Sequence, residues 1–360
     1  MNLEKFKIIF VMPEPSSIGG MKAISKMYYD LKIFKRPEYI HFDSTFAGAS
    51  KIYRLLHSFL HKFRFILLLL NTKPKGVFIY TSSYWGFYDK AFYALLSRLF
   101  GVKSVLNIVG GEFFKFYQSH FYHKWLVRLC MKFPSKVVIG SSSWLYPFLQ
   151  EFPKVKSVVI HNPVVCRNVV NPTKMVNERV RFLFFGRLVI EKGIEEIIQV
   201  LKKMQANPDL QFHFTFAGKG PMGSHIKSVL VDMIEAGFVT LIENVSDEDK
   251  NILLQSSHVF VLPSHAEVLP ISLIEAMECN MPAIITNVGG MKDAVDDNIN
   301  GFIIYDLDNT IEELEKKMKY LIYHPDKIYS MGKLARVKIH ENFKFSVIFN
   351  KKIELFSDLS

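Results

Sequence analysis

The chain has 360 residues, 49% hydrophobic and 22% charged, which excludes a disordered chain and leaves room for two domains of ordinary size. Its three cysteines, Cys130, Cys166 and Cys279, follow no metal-ligand or redox spacing; this excludes a disulfide scaffold and points to a reducing compartment. The net charge of +11 is lopsided: residues 1–165 hold 23 Lys and Arg against 8 Asp and Glu, leaving 22 against 26 of the totals 45 and 34 for the remainder.

In chain order, "KIIFVM" (7–12) reads as a first strand and is too short for a signal-peptide core. The loop "MPEPSSIGGMKAI" (12–24) then leads to a helix through Gly19 and Gly20. In 50–70, Ile52, Leu55, Leu56, Phe59, Leu60 and Phe63 fall on one helical face, with Lys51, Arg54, Lys62 and Arg64 elsewhere. The stretch 113–133 is similarly basic and aromatic. Both suit helices lying in an anionic membrane interface, and both also suit core helices with basic outer faces. The longest apolar run, 65–70, is far below the ~20 residues of a spanning helix, which predicts a cytoplasmic protein without a transmembrane segment. The basic half carries no nucleic-acid-binding motif, so its expected partner is an anionic membrane surface or acceptor rather than nucleic acid.

Further apolar runs follow at 77–80, 104–109, 136–141 and 157–162, then at 181–186, 212–218, 239–245, 258–263, 282–288 and 301–306. Runs apolar throughout predict strands buried on both faces of parallel sheets, and the helix-length gaps predict βαβ units. The fold class expected is α/β, two tandem doubly wound, Rossmann-like domains facing across a cleft. The polar stretch 166–180, with Pro172, reads as the linker. The domains are then 1–165 and 166–342, with 343–360 an amphipathic helix that packs back on the first domain.

Ligands of doubly wound sheets bind at the carboxyl ends of strands, so the loops there carry the candidates. Gly186, Arg187 and Lys192 stand at a strand–helix junction suited to a diphosphate. "FAGKGP" (216–221) adds Gly218, Lys219 and Gly220. In "VLPSHAEVLPISLIEAM" (261–277), Glu267 lies in a loop, Pro270 suits the first turn of a helix, and Glu275 lies within that helix. The amides of Val268, Leu269 and Ile271 face the same space. Asp306 and Asp308 imitate a metal-binding pair but read as a polar turn, so no metal site is expected.

"GRLVIEKGI", "GKGP", "HAEVLPISLIEAM", "PAIITNVGG" and "NGFII", in that order, resemble the donor-binding half of retaining glycosyltransferases of family four, with the GT-B fold. Glu267 and Glu275 match that family's E-x7-E signature. The resemblance implies that Arg187 and Lys192 hold the donor diphosphate, that Glu275 binds the ribose, and that Glu267 with the amides near Leu269 binds the transferred sugar. Glu267, Arg187 and Lys192 are then the catalytic set. Gly19 and Gly20 are implied to approach the donor phosphate. Where the family often has a histidine, this chain has Val109, which leaves Asn107, Gly110 and Glu112 as the acceptor-side candidates. The resemblance implies a metal-independent hexosyl- or N-acetylhexosaminyl-type transferase using a nucleotide-sugar, UDP-linked, as substrate and no cofactor. Its acceptor would be a glycan on a polyprenyl diphosphate, for capsule or lipopolysaccharide synthesis, at the inner face of the membrane. A nucleotide-sugar epimerase on the same scaffold and a non-catalytic donor-binding subunit remain as alternatives.

Overall fold

Uninterrupted apolar runs become doubly buried strands in a computed structural model of the chain, which describes residues 6–15, 20–45, 51–109, 112–165 and 179–357. The chain divides into two units, residues 1–163 with 348–360 and residues 164–347. The candidates Gly19 and Gly110, Cys166 and most of the expected linker lie outside the described residues.

Unit 1 contains β1 (Ile8–Met12), α1 (Gly20–Asp30), β2 (Tyr39–Asp43), α2 (Lys51–Thr72), β3 (Gly76–Thr81), α3 (Trp85–Leu99), β4 (Lys103–Ile108), α4 (Phe113–Gln118), α5 (Phe121–Cys130), β5 (Lys136–Ile139), α6 (Leu145–Glu151) and β6 (Ser157–Val159). The strands form one parallel sheet in the order β2-β1-β3-β4-β5-β6. From β2 onward every crossover advances in one direction, and right-handed connection then puts α2 to α6 on a single face. The core agrees: Ile9, Val77, Ile79 and Leu106 share it with Phe65 of α2, Phe87 of α3, Phe113 of α4 and Phe148 of α6. The step from β1 to β2 runs the other way, so α1 covers the opposite face. There Phe10 meets Tyr28 at 5.4 Å and Phe349 of the C-terminal helix α15 (Phe345–Glu354) at 6.1 Å. Phe356 occupies the space beside Gly76, where a Cβ would stand 2.2 Å from its ring.

Unit 2 contains β7 (Val180–Phe185), α7 (Ile194–Gln205), β8 (Phe212–Ala217), α8 (Met222–Val229), α9 (Val231–Glu235), β9 (Val239–Ile242), α10 (Asp247–Ser256), β10 (Val259–Leu262), α11 (Ile271–Glu278), β11 (Ala283–Thr286), α12 (Met291–Ala294), β12 (Gly301–Ile304), α13 (Thr310–Tyr323) and α14 (Pro325–Asn342). Its parallel sheet is ordered β12-β11-β10-β7-β8-β9. The chain leaves β7 toward β8 and β9, then returns past β7 to β10 and beyond. The order therefore reverses between β7 and β10, and the loops after these two strands flank the switch point, where such sheets bind ligands.

Three local readings are corrected. β2 is a strand that no apolar run announced, because it is an edge strand, half-buried at every position and carrying His41 and Asp43. The basic aromatic stretch after 113 is two helices, parted at Ser119 and His120, where His120 is extended with φ −148° and ψ 152°. Pro270 stands before α11 rather than in its first turn, its ψ of 131° being extended. Among the described residues no helix is long and apolar enough to cross a membrane.

Candidate functional site

The loop after β7 carries Gly186, Arg187 and Lys192; the loop after β10 carries Glu267, Val268 and Leu269. Glycines press these loops together. Gly193, with φ +74°, lies so close to the Pro263 carbonyl that a Cβ would stand 2.1 Å from its oxygen. Gly289, with φ +56°, leaves 1.7 Å between a Cβ and the Glu267 carbonyl oxygen. No other residue type fits either position without moving the loop. The His265 amide donates to the Glu191 carbonyl at 2.9 Å, tying the β10 loop to the β7 loop again, and the His265 Nε2 lies 2.6 Å from Glu196 Oε1 in the first turn of α7. Gly218 and Gly220 have the same cause. Their Cβ directions are filled by the carbonyls of Gly186 and Leu188, while the Lys219 carbonyl accepts from the Leu188 amide at 3.0 Å.

At the switch point Lys192 Nζ pairs with Glu267 Oε1, with both side chains mostly shielded from water. Ser264 Oγ donates to the same carboxylate at 3.3 Å, and Thr286 Oγ1 donates to the Ser264 carbonyl at 2.5 Å. Glu267 is thus positioned from three strands' ends. Glu275, a little over a turn into α11, accepts from Lys250 Nζ of α10 at 2.8 Å. Both carboxylates of the E-x7-E spacing are therefore lysine-paired. Arg187 is exposed and has no ion pair with another described residue. The amides of Val268 and Leu269 have no hydrogen-bond acceptor among the described residues although both side chains are buried. Pro270 and Ile271 follow, half-buried, at the start of α11. The arrangement offers cations, two free amides and two carboxylates on these loops and the helices beside them, which is what an anion joined to hydroxyl-bearing groups requires.

Lys250 and Ser264 were not among the candidates read from sequence. Lys250 sits in α10, 25 residues before Glu275, and no local spacing signals it. Ser264 adjoins the motif and could have been found as its hydroxyl neighbour.

In unit 1, Gly20 opens α1, and Glu112 is exposed at the start of α4. Asn107 is buried in β4, in register with Tyr80 of β3, whose side chain it hydrogen-bonds. It belongs to an interior network. Tyr80 Oη lies 2.8 Å from Tyr28 Oη, and Lys352 Nζ of α15 donates to Tyr80 Oη at 3.0 Å. Burial pushes both tyrosines' pKa values up and the Lys352 amine down to about 7. Val109 donates its amide to the Thr81 carbonyl at 3.0 Å. Asp306 closes a turn, accepting from the Asp308 amide at 3.2 Å and from Asn309 Nδ2 at 2.6 Å.

Residues 169–338 match the family described as glycosyl transferases group 1. Over 292 residues the chain is 25% identical to a protein of Methanocaldococcus jannaschii named an uncharacterized glycosyltransferase, covering 77% of this chain and 78% of that one. Together these support a glycosyltransferase of group 1. Solved structures agree on the fold. Sucrose-phosphate synthase from Thermosynechococcus elongatus has a TM-score of 0.76 at 15% identity, covering 98% of this chain and 99% of that one. Anabaena HepE, in complex with UDP, has a TM-score of 0.75 at 17% identity, covering 98% and 100%. These neighbours are GT-B glycosyltransferases, and the two doubly wound parallel sheets found here are of that class. The epimerase and non-catalytic alternatives are not favoured by these matches.

Proposed function

We propose that the protein is a retaining, metal-independent transferase that moves a hexosyl or N-acetylhexosaminyl unit from a UDP-linked donor to a glycan carried on a polyprenyl diphosphate. Domain 166–342 takes the donor, and domain 1–165 takes the acceptor. The product serves a surface polysaccharide, and the enzyme works at the cytoplasmic face of a membrane, drawn there by its basic first half. The observation that carries the donor reading is the pairing of Lys192 with Glu267 and of Lys250 with Glu275 at the β7/β10 switch point. The UDP held by Anabaena HepE supports the same donor class.

In this reading Arg187 and Lys192 neutralise the diphosphate as the sugar C1–O bond breaks and its electron pair leaves with the phosphate oxygen. The acceptor hydroxyl attacks C1 from the same face, and its proton passes to the departing phosphate. Glu275 grips the ribose hydroxyls. Glu267, with the amides of Val268 and Leu269, orients the sugar.

Thermal-shift titration with UDP and UDP-sugars tests the site. At a ligand concentration about 100 times Kd the folded state gains roughly 2.7 kcal/mol, a shift that is easily read. Arg187→Ala is expected to abolish it while keeping the unliganded melting temperature, and Glu275→Ala to abolish it with a lowered one, because Lys250 loses its partner. An unchanged response in both variants places the site elsewhere. Transfer that persists in chelator completes the test of metal independence.

A further inference from the structure

One surface of unit 1 is not explained by sugar transfer. α2 has two apolar stripes. Phe65 and Leu69 face the core, while Phe59, Phe63, Leu67 and Leu70, spaced by four, four and three, lie together on the outer side and are all exposed. A helix apolar on both sides is ordinarily covered on both. The neighbouring helices repeat the pattern. Trp85, 85% exposed, opens α3, and Leu99, 70% exposed, ends it. Phe121, 85% exposed, and Trp125, 66% exposed, stand one turn apart on α5.

These stripes belong to one surface. The helices lie on the same face of the sheet, with α2 tied to α3 by the ion pair of Lys62 with Asp89. α3 is tied to α5 by Tyr88 Oη, 2.6 Å from His123 Nδ1, and Trp85 packs on the same Tyr88 at 6.3 Å. An apolar patch this extended on a folded protein marks an interaction site.

Charge identifies the occupant. Residues 51–132 carry 13 Lys and Arg against two acidic residues, Asp89 and Glu112. Asp89 is consumed by Lys62 and Lys90. Exposed Arg64 directly follows Phe63, and exposed Lys124 directly precedes Trp125, in the chain. Tryptophan and phenylalanine set among cations match a bilayer with anionic headgroups, where rings sit at the acyl boundary and ammonium groups meet phosphate.

We infer that the outer faces of α2, α3 and α5 form a docking face that inserts its aromatic side chains into an anionic phospholipid bilayer. This rests on, and sharpens, the membrane part of the proposed function: insertion through three named helices holds the protein there, rather than diffuse charge.

The test is co-sedimentation of the full chain with phosphatidylcholine vesicles, with and without about one third phosphatidylglycerol, for the natural protein and for Trp85→Ser/Phe121→Ser and Phe59→Ser/Phe63→Ser. All four side chains point outward, so both variants fold, as unchanged far-UV circular dichroism and melting will show. The expected result is binding to anionic vesicles with a blue shift of tryptophan emission, weakened more than about tenfold in each variant. Natural protein and variants that bind equally overturn the docking face while the membrane reading stands. Natural protein that ignores both vesicle types overturns the two together. A dimer that both variants convert to monomer, without vesicle binding, assigns the face to a second copy and also overturns the inference.

Discussion

The two units share a design, six parallel strands with helices on both faces, and place their charges oppositely. In unit 2 two shielded lysine–carboxylate pairs, Lys192 with Glu267 and Lys250 with Glu275, gather beside the strand-order reversal, whereas the shielded pairs of unit 1, Lys62 and Lys90 with Asp89, join α2 to α3. In unit 1 a lysine lies wholly inside. Lys352 is bonded to Tyr80 and set 5.5 Å from the Phe78 ring centroid, with no carboxylate paired to it among the described residues. Unit 1 shows its aromatic residues to the outside instead. The same scaffold thus gathers polar groups at a strand-order reversal in one copy. In the other it supports an interior polar network and an exposed apolar face. Where the charges sit, rather than the sheet, separates the two roles.

Titrating the buried lysine of unit 1 is expected to move stability most. The Lys352 amine falls from its usual 10.5 to about 7 on folding. Between those pH values the unfolded chain holds a proton that the folded unit lacks, so stability rises with pH across that window. Below about 7 both states are protonated and the contribution is flat. Above about 10 the slope reverses: Tyr28 and Tyr80, whose pKa values burial raises, keep protons that their unfolded counterparts release. The rise amounts to something on the order of 4 kcal/mol. All three tryptophans, Trp85, Trp125 and Trp144, lie in unit 1, so their fluorescence during urea unfolding reports that unit alone. Lys352→Met is expected to flatten the slope and to raise stability near neutral pH, because an apolar side chain of similar length replaces an amine without a counter-ion. The same slope in the variant means that the amine is solvated.

The next effect separates glycines that the site needs from those that only need a turn. Gly289→Ala drives a Cβ into the Glu267 carbonyl in a left-handed backbone, at a cost of about 3 kcal/mol or more, and is expected to abolish the thermal shift with UDP. Gly101 of unit 1 is also left-handed, φ +70°, but has open space around it. Gly101→Ala then costs only about 1 kcal/mol and leaves the UDP shift intact. If Gly289→Ala kept full UDP binding, the close approach of the two loops would have no part in holding the donor.

Much of the fold was legible because doubly buried strands are apolar along their whole length. "RFLFFG" and "PAIITNV" announce β7 and β11 without any partner in view. β2 was not legible, since an edge strand needs no such run. The loops of unit 2 were legible because their residues are local in sequence. Lys250 was not, because α10 brings it to Glu275 only through the packing of the sheet. Asn107 shows the reverse failure: a polar residue near a strand end reads as site-facing, yet the side of the strand it occupies turns it toward Tyr80 and the interior. The apolar stripe of α2 was legible as a stripe, with a membrane-facing and a core-facing reading both open. Periodicity reveals that a helix is apolar and not which of two apolar faces meets the core; here Phe65 and Leu69 do, and Phe59 and Phe63 do not.

The smallest effect tests the switch-point pair itself. Without ligand, Lys192 is held by Glu267, both side chains being largely withdrawn from water, at 16% and 10% exposure, where screening is weaker than at the surface. A diphosphate arriving at this loop must take the ammonium from the carboxylate, and part of its binding free energy is lost in that exchange. Glu267→Gln removes the competing charge while keeping the shape and the contact with Ser264. UDP is then expected to bind roughly tenfold more tightly, about 1.4 kcal/mol by calorimetry, while sugar transfer falls, the carboxylate proposed to orient the sugar being gone. The gain must be smaller for a UDP-sugar than for UDP, since the freed Lys192 helps the diphosphate of both while the sugar alone loses a carboxylate partner. Lys192→Ala must weaken both ligands alike. If Glu267→Gln instead weakened UDP, the carboxylate would be aiming Lys192 at the phosphates rather than competing with them. Catalysis and donor affinity would then fall together in that variant instead of moving apart.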